Sequence, residues 1–552
     1  MPPSSAKKVT GPKPAKERKR QWAPKSRRGC LTCKIRRVKC DEAKPSCERC
    51  SSTGRTCEYG TEPTQNQRII THDRFRFIAH PLSINLIPGL RLDTAEERAS
   101  LSFFEQHASL ELCGPFNSKF WQRQLLQAAQ IHPVIRYSVV ALGAMYRKLA
   151  SGTASNVPDD PTDNQIRFAL QQSNRAIQEL VKPARAASPA DKITILTSCV
   201  LFHSMACIQG LQMNALSHLR SGLKLLQEID EQYPNIQEMA RDQPITIDCL
   251  RSIMVSFDVQ ARTQMSVPDL LDWELPPGHG QYHTYADSYT AICQAQVYLE
   301  ALLNHILCYL QSLYKPEKWN PTTIMTTLSL FKEQIMFGRT MVDDIEAQLY
   351  AENDTAQRRA FIALRMLQTT AEVFINIVER RTRIAQACND MSDRHSASDE
   401  PFYRLFDLAS ELLELTATPR QVDGCPSVRP VFSAGYGSVA ALWMVSVRAK
   451  SFNLRRKAIN MLLNNPRREG LWDAPSVGQI AKAILEFEET SAREELGIMP
   501  SELDEAHSQE LEYLRCADIV VRYDGPRQAV TDIRNLRQVL RNERGIQTTC
   551  RW

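Results

Sequence analysis

The first 71 residues contain no histidine, and nowhere in the 552-residue chain does an unbroken apolar run reach the 18 residues of a membrane span. Each absence excludes something. Without histidine, a metal site near the start of the chain cannot be of the Cys2His2 or ring-like mixed-ligand kind. The nearest approach to a span, Ile193 to Leu211, is interrupted by Thr197, Ser198, His203, Ser204 and Gln209, and is predicted to be a core helix. The opening residues MPPSSAKKVTGPKPAKERKR lack the apolar segment of a secretory signal, so a reducing compartment is expected and three disulfides are not. There is no P-loop, no G-x-G-x-x-G, no G-x-S-x-G and no H-E-x-x-H. His203, His218, His279 and His283 are scattered, and catalysis is not expected.

What is present is unevenly placed. Residues 1–60 hold 17 Lys or Arg against 5 Asp or Glu, a net of +12, while the remaining 492 hold 51 against 57, a net of −6. A basic end of this kind suits a polyanion, because each phosphate neutralised releases condensed counterions. Residues 1–28 are rich in Lys, Arg and Pro without apolar periodicity, which predicts a disordered basic tail. Its runs Lys16-Glu17-Arg18-Lys19-Arg20 and Lys25-Ser26-Arg27-Arg28 suit nuclear import, DNA phosphates, or both.

Six of the 16 cysteines, Cys30, Cys33, Cys40, Cys47, Cys50 and Cys57, fall within 28 residues at the spacing C-x2-C-x6-C-x6-C-x2-C-x6-C. Six thiolates can serve one tetrahedral zinc with two left over, or two zincs if two thiolates are shared. The repeated C-x2-C-x6-C favours the second arrangement, each half supplying three ligands about a pseudo-twofold axis. Between Cys33 and Cys40 lies Lys34-Ile35-Arg36-Arg37-Val38-Lys39. Ile35 and Val38 are three apart and are expected to face the metal core. That leaves a short helix presenting Arg36 and Arg37 to the major groove, where arginine bonds guanine O6 and N7. Lys34, Lys39, Arg27, Arg28 and Arg55 are assigned to phosphates, which position without reading sequence. Gly54 is expected to end a second short helix, and Pro45 to shape the loop joining the halves.

The segment GCLTCKIRRVKCDEAKPSCERCSSTGRTCEYG resembles the fungal zinc binuclear cluster family in every cysteine, in the basic run and in the Lys44-Pro45 loop. The resemblance implies two zinc ions per chain. Cys30 and Cys47 would bridge, Cys33 and Cys40 would complete one site, and Cys50 and Cys57 the other. It also implies that positions 36 and 37 read a CGG or CCG triplet; relatives usually carry lysine there, so two arginines keep the guanine preference and leave the hydrogen-bond pattern open. The implied function is a nuclear, sequence-specific regulator of RNA polymerase II genes, with double-stranded DNA as partner. Co-regulators and a second copy bound through the helical domain are further candidate partners; a membrane is not. The competing reading is a chromatin scaffold that binds phosphates without base specificity.

The expected architecture is mainly α. The zinc cluster occupies 29–60, a proline-bearing linker 61–92, and an all-α regulatory domain 93–545. Met213, Leu216, Leu219, Leu223 and Leu226 recur at spacings of three and four, giving an amphipathic helix that ends near Ile229. Similar periodicity marks 133–149, 163–181, 191–208, 246–265, 286–314, 355–387, 433–463 and 475–490. Phe103-Phe104-Glu105, the run from Phe116 to Trp121, His132-Pro133-Val134-Ile135-Arg136 and Ala141-Leu142-Gly143-Ala144 resemble the start of a helical fungal transcription factor domain. His218 to Leu223 and Glu469-Gly470-Leu471-Trp472-Asp473 fit the same resemblance. Cys199 and Cys207 are expected to be buried thiols. Residues 486–512 hold ten acidic residues and one arginine, which suits solvated helix faces or an acidic activation segment.

A coiled coil needs apolar heptads sustained for roughly three or four repeats. Pro63, Pro81 and Pro88 leave only 64–80 free of proline, and Ile69, Phe75 and Phe77 keep no heptad there. Fragment 1–92 is therefore expected to be monomeric and to bind one triplet weakly. Sedimentation at micromolar concentration checks this, and a stable zinc-loaded dimer without DNA would refute it.

Overall fold

The computed structural model describes residues 30–57 apart from 31, 34, 35 and 37. It also describes 92–552 apart from 117, 152–161, 183–187, 266–269, 271, 274–287, 350–353, 387–398, 417–418, 423–424, 429, 498, 500–512 and 526. The tail assigned to 1–28 and all but the last residue of the linker assigned to 61–92 lie outside the described residues. The chain divides into two compact units, Met1–Ser83 and Ile84–Trp552.

The first unit contains α1 (Glu48–Ser51). The second begins with α2 (Ala95–Phe103), α3 (Ser109–Leu112), α4 (Leu125–Ile131), α5 (Pro133–Ser151), α6 (Asn164–Leu180), α7 (Pro189–Gln209), α8 (Gln212–Gln232), α9 (Ile236–Met239) and α10 (Ile247–Gln264). It continues with α11 (Ser288–Ser312), α12 (Pro321–Leu349), α13 (Thr355–Gln386), α14 (Glu400–Thr416), α15 (Ser438–Arg448), α16 (Phe452–Asn464), α17 (Ala474–Leu496) and α18 (Leu536–Leu540). The protein is mainly α.

Local chemistry sets the helix ends. Thr94 and Glu97 form a capping box on α2, satisfying backbone N–H groups that the first turn cannot pair internally. Ser188 caps α7 ahead of Pro189, and Gly210 ends it in the left-handed region at φ 73°, a conformation that costs glycine little. Helix α7 is buried along most of its length, so its polar residues need partners. Thr194, Thr197, Ser198 and Ser204 each donate to the carbonyl four residues back, and His203 Nδ1 lies 2.9 Å from the Ala215 carbonyl. Burial keeps His203 neutral, with its pKa lowered to about 4. It likewise pushes the Cys207 thiol up, and Cys199 to about 11; Cys207 is buried as expected, whereas Cys199 is only partly buried against the core. Pro189–Gln209 and Thr355–Arg383 are long and apolar enough to cross a membrane, yet both lie mostly buried within this fold.

Two large apolar clusters divide the unit. Helices α2, α4–α8 and α10 build the first, and α11–α16 the second. Helix α10 serves both, with Met254, Phe257 and Ala261 in the first and Val259 in the second. Its remaining face is polar. Asp258 accepts from Arg262 Nε at 2.7 Å, Trp273 Nε1 at 2.6 Å and Asn304 Nδ2 at 2.7 Å, while Arg262 also donates to Gln311. One helical turn before Asn304 on α11, Glu300 Oε1 accepts from Ser256 and Gln296, whereas Oε2 has no hydrogen-bond partner among the described residues.

The structure departs from the all-α expectation for 93–545 in three small sheets. Strands β1 (Pro419–Val422) and β2 (Cys425–Val428) form an antiparallel ribbon. Strand β3 (Val431–Ser433) runs parallel to β4 (Arg467–Glu469), which pairs antiparallel with β5 (Trp472–Asp473). Gln260 of α10 bonds this sheet's flanks twice, donating to the Ala434 carbonyl and accepting from the Leu471 N–H. An antiparallel sheet β6 (Cys516–Tyr523), β7 (Gln528–Asn535) and β8 (Ile546–Arg551) packs on α17 and on the buried Arg455–Glu488 pair. The expected helix 433–463 is likewise two helices. Asp399 accepts the N–H groups of Lys450 and Ser451, both at 2.8 Å, and this fixes the break between α15 and α16. Helices α12 and α14 were not among the segments assigned from periodicity.

Burial raises the Glu300 carboxyl to about 7, so the folded chain holds this proton more tightly than the unfolded chain does. Ionising it in place costs stability progressively between the ordinary carboxylate range and pH 7. Glu300→Gln, permanently neutral, is expected to match wild type near pH 4.5 and to gain on it with rising pH, by roughly 2–3 kcal/mol at pH 8. Urea unfolding at pH 4.5, 6 and 8 checks this; a gap that does not change with pH refutes it.

Candidate zinc centre and nucleic-acid interface

Cys30 and Cys33 open the first half of the module. The chain then makes a turn in which Arg36 N–H donates to the Thr32 carbonyl at 3.2 Å and Val38 N–H to the Cys33 carbonyl at 3.2 Å. The second half repeats the plan with α1, whose N-cap is Cys47. It ends through Gly54 at φ 63°, a left-handed conformation that favours glycine, with Arg55 N–H returning to the Cys50 carbonyl at 3.0 Å. Asp41, in the loop between the halves, accepts the Glu48 N–H at 3.0 Å, and this bond holds its carboxyl below the usual carboxylate range. Cys47 offers α1 no side-chain cap, so Asp41 supplies that bond from the loop. The Lys44–Pro45 peptide in this loop is cis.

The thiols converge. Cys30, Cys33, Cys47 and Cys50 have all four Sγ atoms within 4.8 Å of one another. The pairs Cys30–Cys47, Cys30–Cys50 and Cys33–Cys47 lie at 3.7 Å, and Cys33–Cys50 and Cys30–Cys40 at 3.9 Å. Zinc–sulfur bonds of about 2.3 Å in a tetrahedron give sulfur–sulfur edges of about 3.8 Å, so these spacings fit zinc. The halves are matched in a second way. Cys30 N–H donates to Cys40 Sγ at 3.4 Å, and Cys47 N–H donates to Cys57 Sγ at 3.3 Å, the same ten-residue step in each half.

Electrostatics point the same way. Desolvation among the packed sulfurs pushes Cys33, Cys47 and Cys50 up to about 12, while the Cys47 N–H lowers Cys57. Left alone, the buried thiols would stay neutral; a dication supplies the charge that ionises them.

Arg36, Lys39 and Arg55 are exposed around this core. Arg27, Arg28, Lys34 and Arg37 lie outside the described residues. Val38 corrects the expectation that it faces the metal: it is 42% exposed. Among the described residues, five cysteines form the buried cluster of the module and Cys57 packs against it; Ile35, the other residue expected to face the metal, lies outside the described residues. Sequence reasoning missed Asp41 and the bonds between halves, Thr32 Oγ1 to the Thr56 carbonyl at 2.9 Å and Arg36 Nη1 to Thr53 Oγ1 at 3.4 Å. Threonine in a turn carries no spacing signal that would have singled these out.

The Fungal specific transcription factor domain family matches residues 100–421, more than half of the chain. The chain belongs to this family. The fungal Zn(2)-Cys(6) binuclear cluster domain matches residues 28–67. An aspercryptin biosynthesis cluster-specific transcription regulator of Emericella nidulans is 24% identical over 89% of this chain and 91% of its own length. A transcription regulator of Purpureocillium lilacinum is 26% identical over 36% of this chain and 48% of its own. Sterol uptake control protein 2 of Candida albicans is 52% identical over 48 residues, 9% of this chain and 7% of its own. No solved structure matches the chain. This member of the fungal transcription factor family is a zinc-binding, DNA-binding transcription regulator.

Elsewhere, the acidic stretch of α17 is structural. Glu488 is buried against Arg455, Glu489 pairs with Arg456 and Glu495 with Arg537. Most of the rest of that stretch, 500–512, lies outside the described residues.

Because the buried cluster of the module's described residues is made of cysteine, zinc removal should unfold 30–57 and spare the helical unit, which has large apolar clusters of its own. With excess chelator, amide exchange is expected to become unprotected at Cys50 and Arg55 while α5 and α7 stay protected. Persisting protection at Cys50 would refute this.

Proposed function

We propose that the chain is a sequence-specific regulator of RNA polymerase II genes that acts in the nucleus and reads a CGG/CCG-type triplet. The observation that carries the reading is the pairing, among the described residues, of a buried core of cysteines with an exposed basic turn: Arg36 and Lys39 stand outside. Two zinc ions per chain are held by the six thiolates, with Cys30 and Cys47 shared. Cys33 and Cys40 complete one site, and Cys50 and Cys57 the other. Bound zinc supplies the positive charge that keeps the thiolates ionised and fixes both turns. The compact foursome alone would suit a single zinc; the matched N–H···S bonds that draw in Cys40 and Cys57 support two.

Arg36 and Arg37 are the base readers, and Lys34, Lys39, Arg27, Arg28 and Arg55 neutralise phosphates. The helical unit regulates or transmits the output, through co-regulators and through pairing of two copies. The Emericella nidulans transcription regulator, aligned over 91% of its own length, supports a regulatory role for the chain.

Base readers and phosphate contacts respond differently to substitution. Arg37→Ala should reduce discrimination against altered triplets by roughly 1–3 kcal/mol. Lys34→Ala should weaken all duplexes alike and lower the salt slope by about one. Titrations of triplet-bearing and scrambled duplexes at several salt concentrations separate the two. Equal affinity of the unaltered chain for both duplexes would instead favour the phosphate-binding scaffold.

A further inference from the structure

We propose that Thr53 is a positioning residue for base readout, its hydroxyl in the second half of the module holding the Arg36 guanidinium of the first. The inference rests on the assignment of Arg36 as a base reader. Arg36 Nη1 lies 3.4 Å from Thr53 Oγ1. That hydroxyl turns its own hydrogen inward, toward the Arg49 carbonyl at 2.8 Å and the Cys50 carbonyl at 3.2 Å. Its lone pairs are thereby left to accept from Arg36, as a hydroxyl with one donor and two acceptor sites can. One turn earlier, Thr32 Oγ1 donates to the Thr56 carbonyl at 2.9 Å. Residues 32 and 36 share a face of the turn, so that face is fastened to the 53–56 segment at two points.

The chemistry of the contact suits a reader held in readiness. Thr53 occupies one of five guanidinium N–H groups and leaves a two-donor edge for guanine O6 and N7. A neutral acceptor leaves the positive charge intact, and no carboxylate pairs with Arg36 among the described residues. An unheld arginine would lose rotamer freedom on reaching a base; this one has given up part of it beforehand. Base readout then depends on both halves of the module, although the reading side chains come from one.

The test uses the full zinc-loaded chain and reads the affinity ratio between a triplet-bearing and a scrambled duplex, with zinc content and scrambled-duplex affinity as controls. Thr53→Val, which keeps the shape and loses the acceptor, is expected to lower the ratio about tenfold, as is Thr53→Ala, with both controls unchanged. Thr53→Ser should restore the ratio, and Thr53→Val combined with Arg36→Ala should fall no lower than Arg36→Ala alone. A wild-type ratio in Thr53→Val and Thr53→Ala beside a reduced ratio in Arg36→Ala overturns the proposal. So does a double variant whose losses add. A wild-type ratio in Arg36→Ala overturns it together with the assignment of Arg36, and a wild-type chain with no ratio removes the functional reading beneath both.

Discussion

Sulfur convergence is the constraint on which the first unit depends. Twenty-eight residues cannot bury enough apolar surface to offset the entropy of ordering their backbone, and small domains of this size ordinarily need a metal or disulfides. Among the described residues the buried cluster is made of cysteine. Val38, Arg36 and Lys39 are surface, and surface is where basic residues can be dense. The turn is held by the Cys33 and Cys40 anchors and by the bonds from Thr32 and Arg36 to the second half.

The helical unit meets its largest constraint at α10, which must face two apolar clusters and a third, polar neighbour. Asp258 is fully buried there, and three donors converge on it, one of them the charged Arg262. Removing one partner of such a pair would leave a buried charge uncompensated, typically a loss of about 3–5 kcal/mol. Glu300, on the same seam one turn before Asn304 of α11, accepts among the described residues only from Ser256 and Gln296, and burial raises its carboxyl to about 7. The seam also ties Trp273 and the Leu270 carbonyl to the helices, anchoring the chain as it leaves α10.

How much of this was legible in the sequence depended on whether one pattern dominated locally. The cysteine spacing reported the cluster directly, because ligand chemistry tolerates no substitute. Amphipathic helices such as α8 were readable because burial and periodicity agree along them. Helix α12 was not: Ile324, Leu328, Phe331, Ile335 and Val342 form a buried stripe, but Leu330, Met336 and Phe337 stand 55%, 69% and 61% exposed and blur it. The split between α15 and α16 depends on Asp399, some 50 residues distant in sequence, which no local window contains. The sheet β6–β8 did leave a local trace. Ile519, Val521 and Tyr523 alternate before Asp524-Gly525, a turn signal, with Gly525 at φ 98°. Surrounding helical periodicity obscured it. The role of Thr53 was illegible for a different reason: its partner lies in the other half of the module, and only folding brings them together.

Charge closes the account of how the two units divide their work. A net of +12 over residues 1–60, against −6 over the remaining 492, means that on net charge a duplex is drawn to the first 60 residues and weakly repelled by the rest of the chain. Long-range attraction of this sort is nonspecific and screened within about 8–10 Å at ordinary ionic strength, so it can deliver the module to DNA without choosing a site. Choice has to come from contacts that the screening does not reach, the bidentate bonds of arginine to guanine edges. A triplet offers few of these. A module reading three base pairs cannot by itself separate one promoter from a genome of competing sites. If the module reads a triplet as proposed, further discrimination has to be added to it, and the proposed source is a second copy or a partner bound through the helical unit.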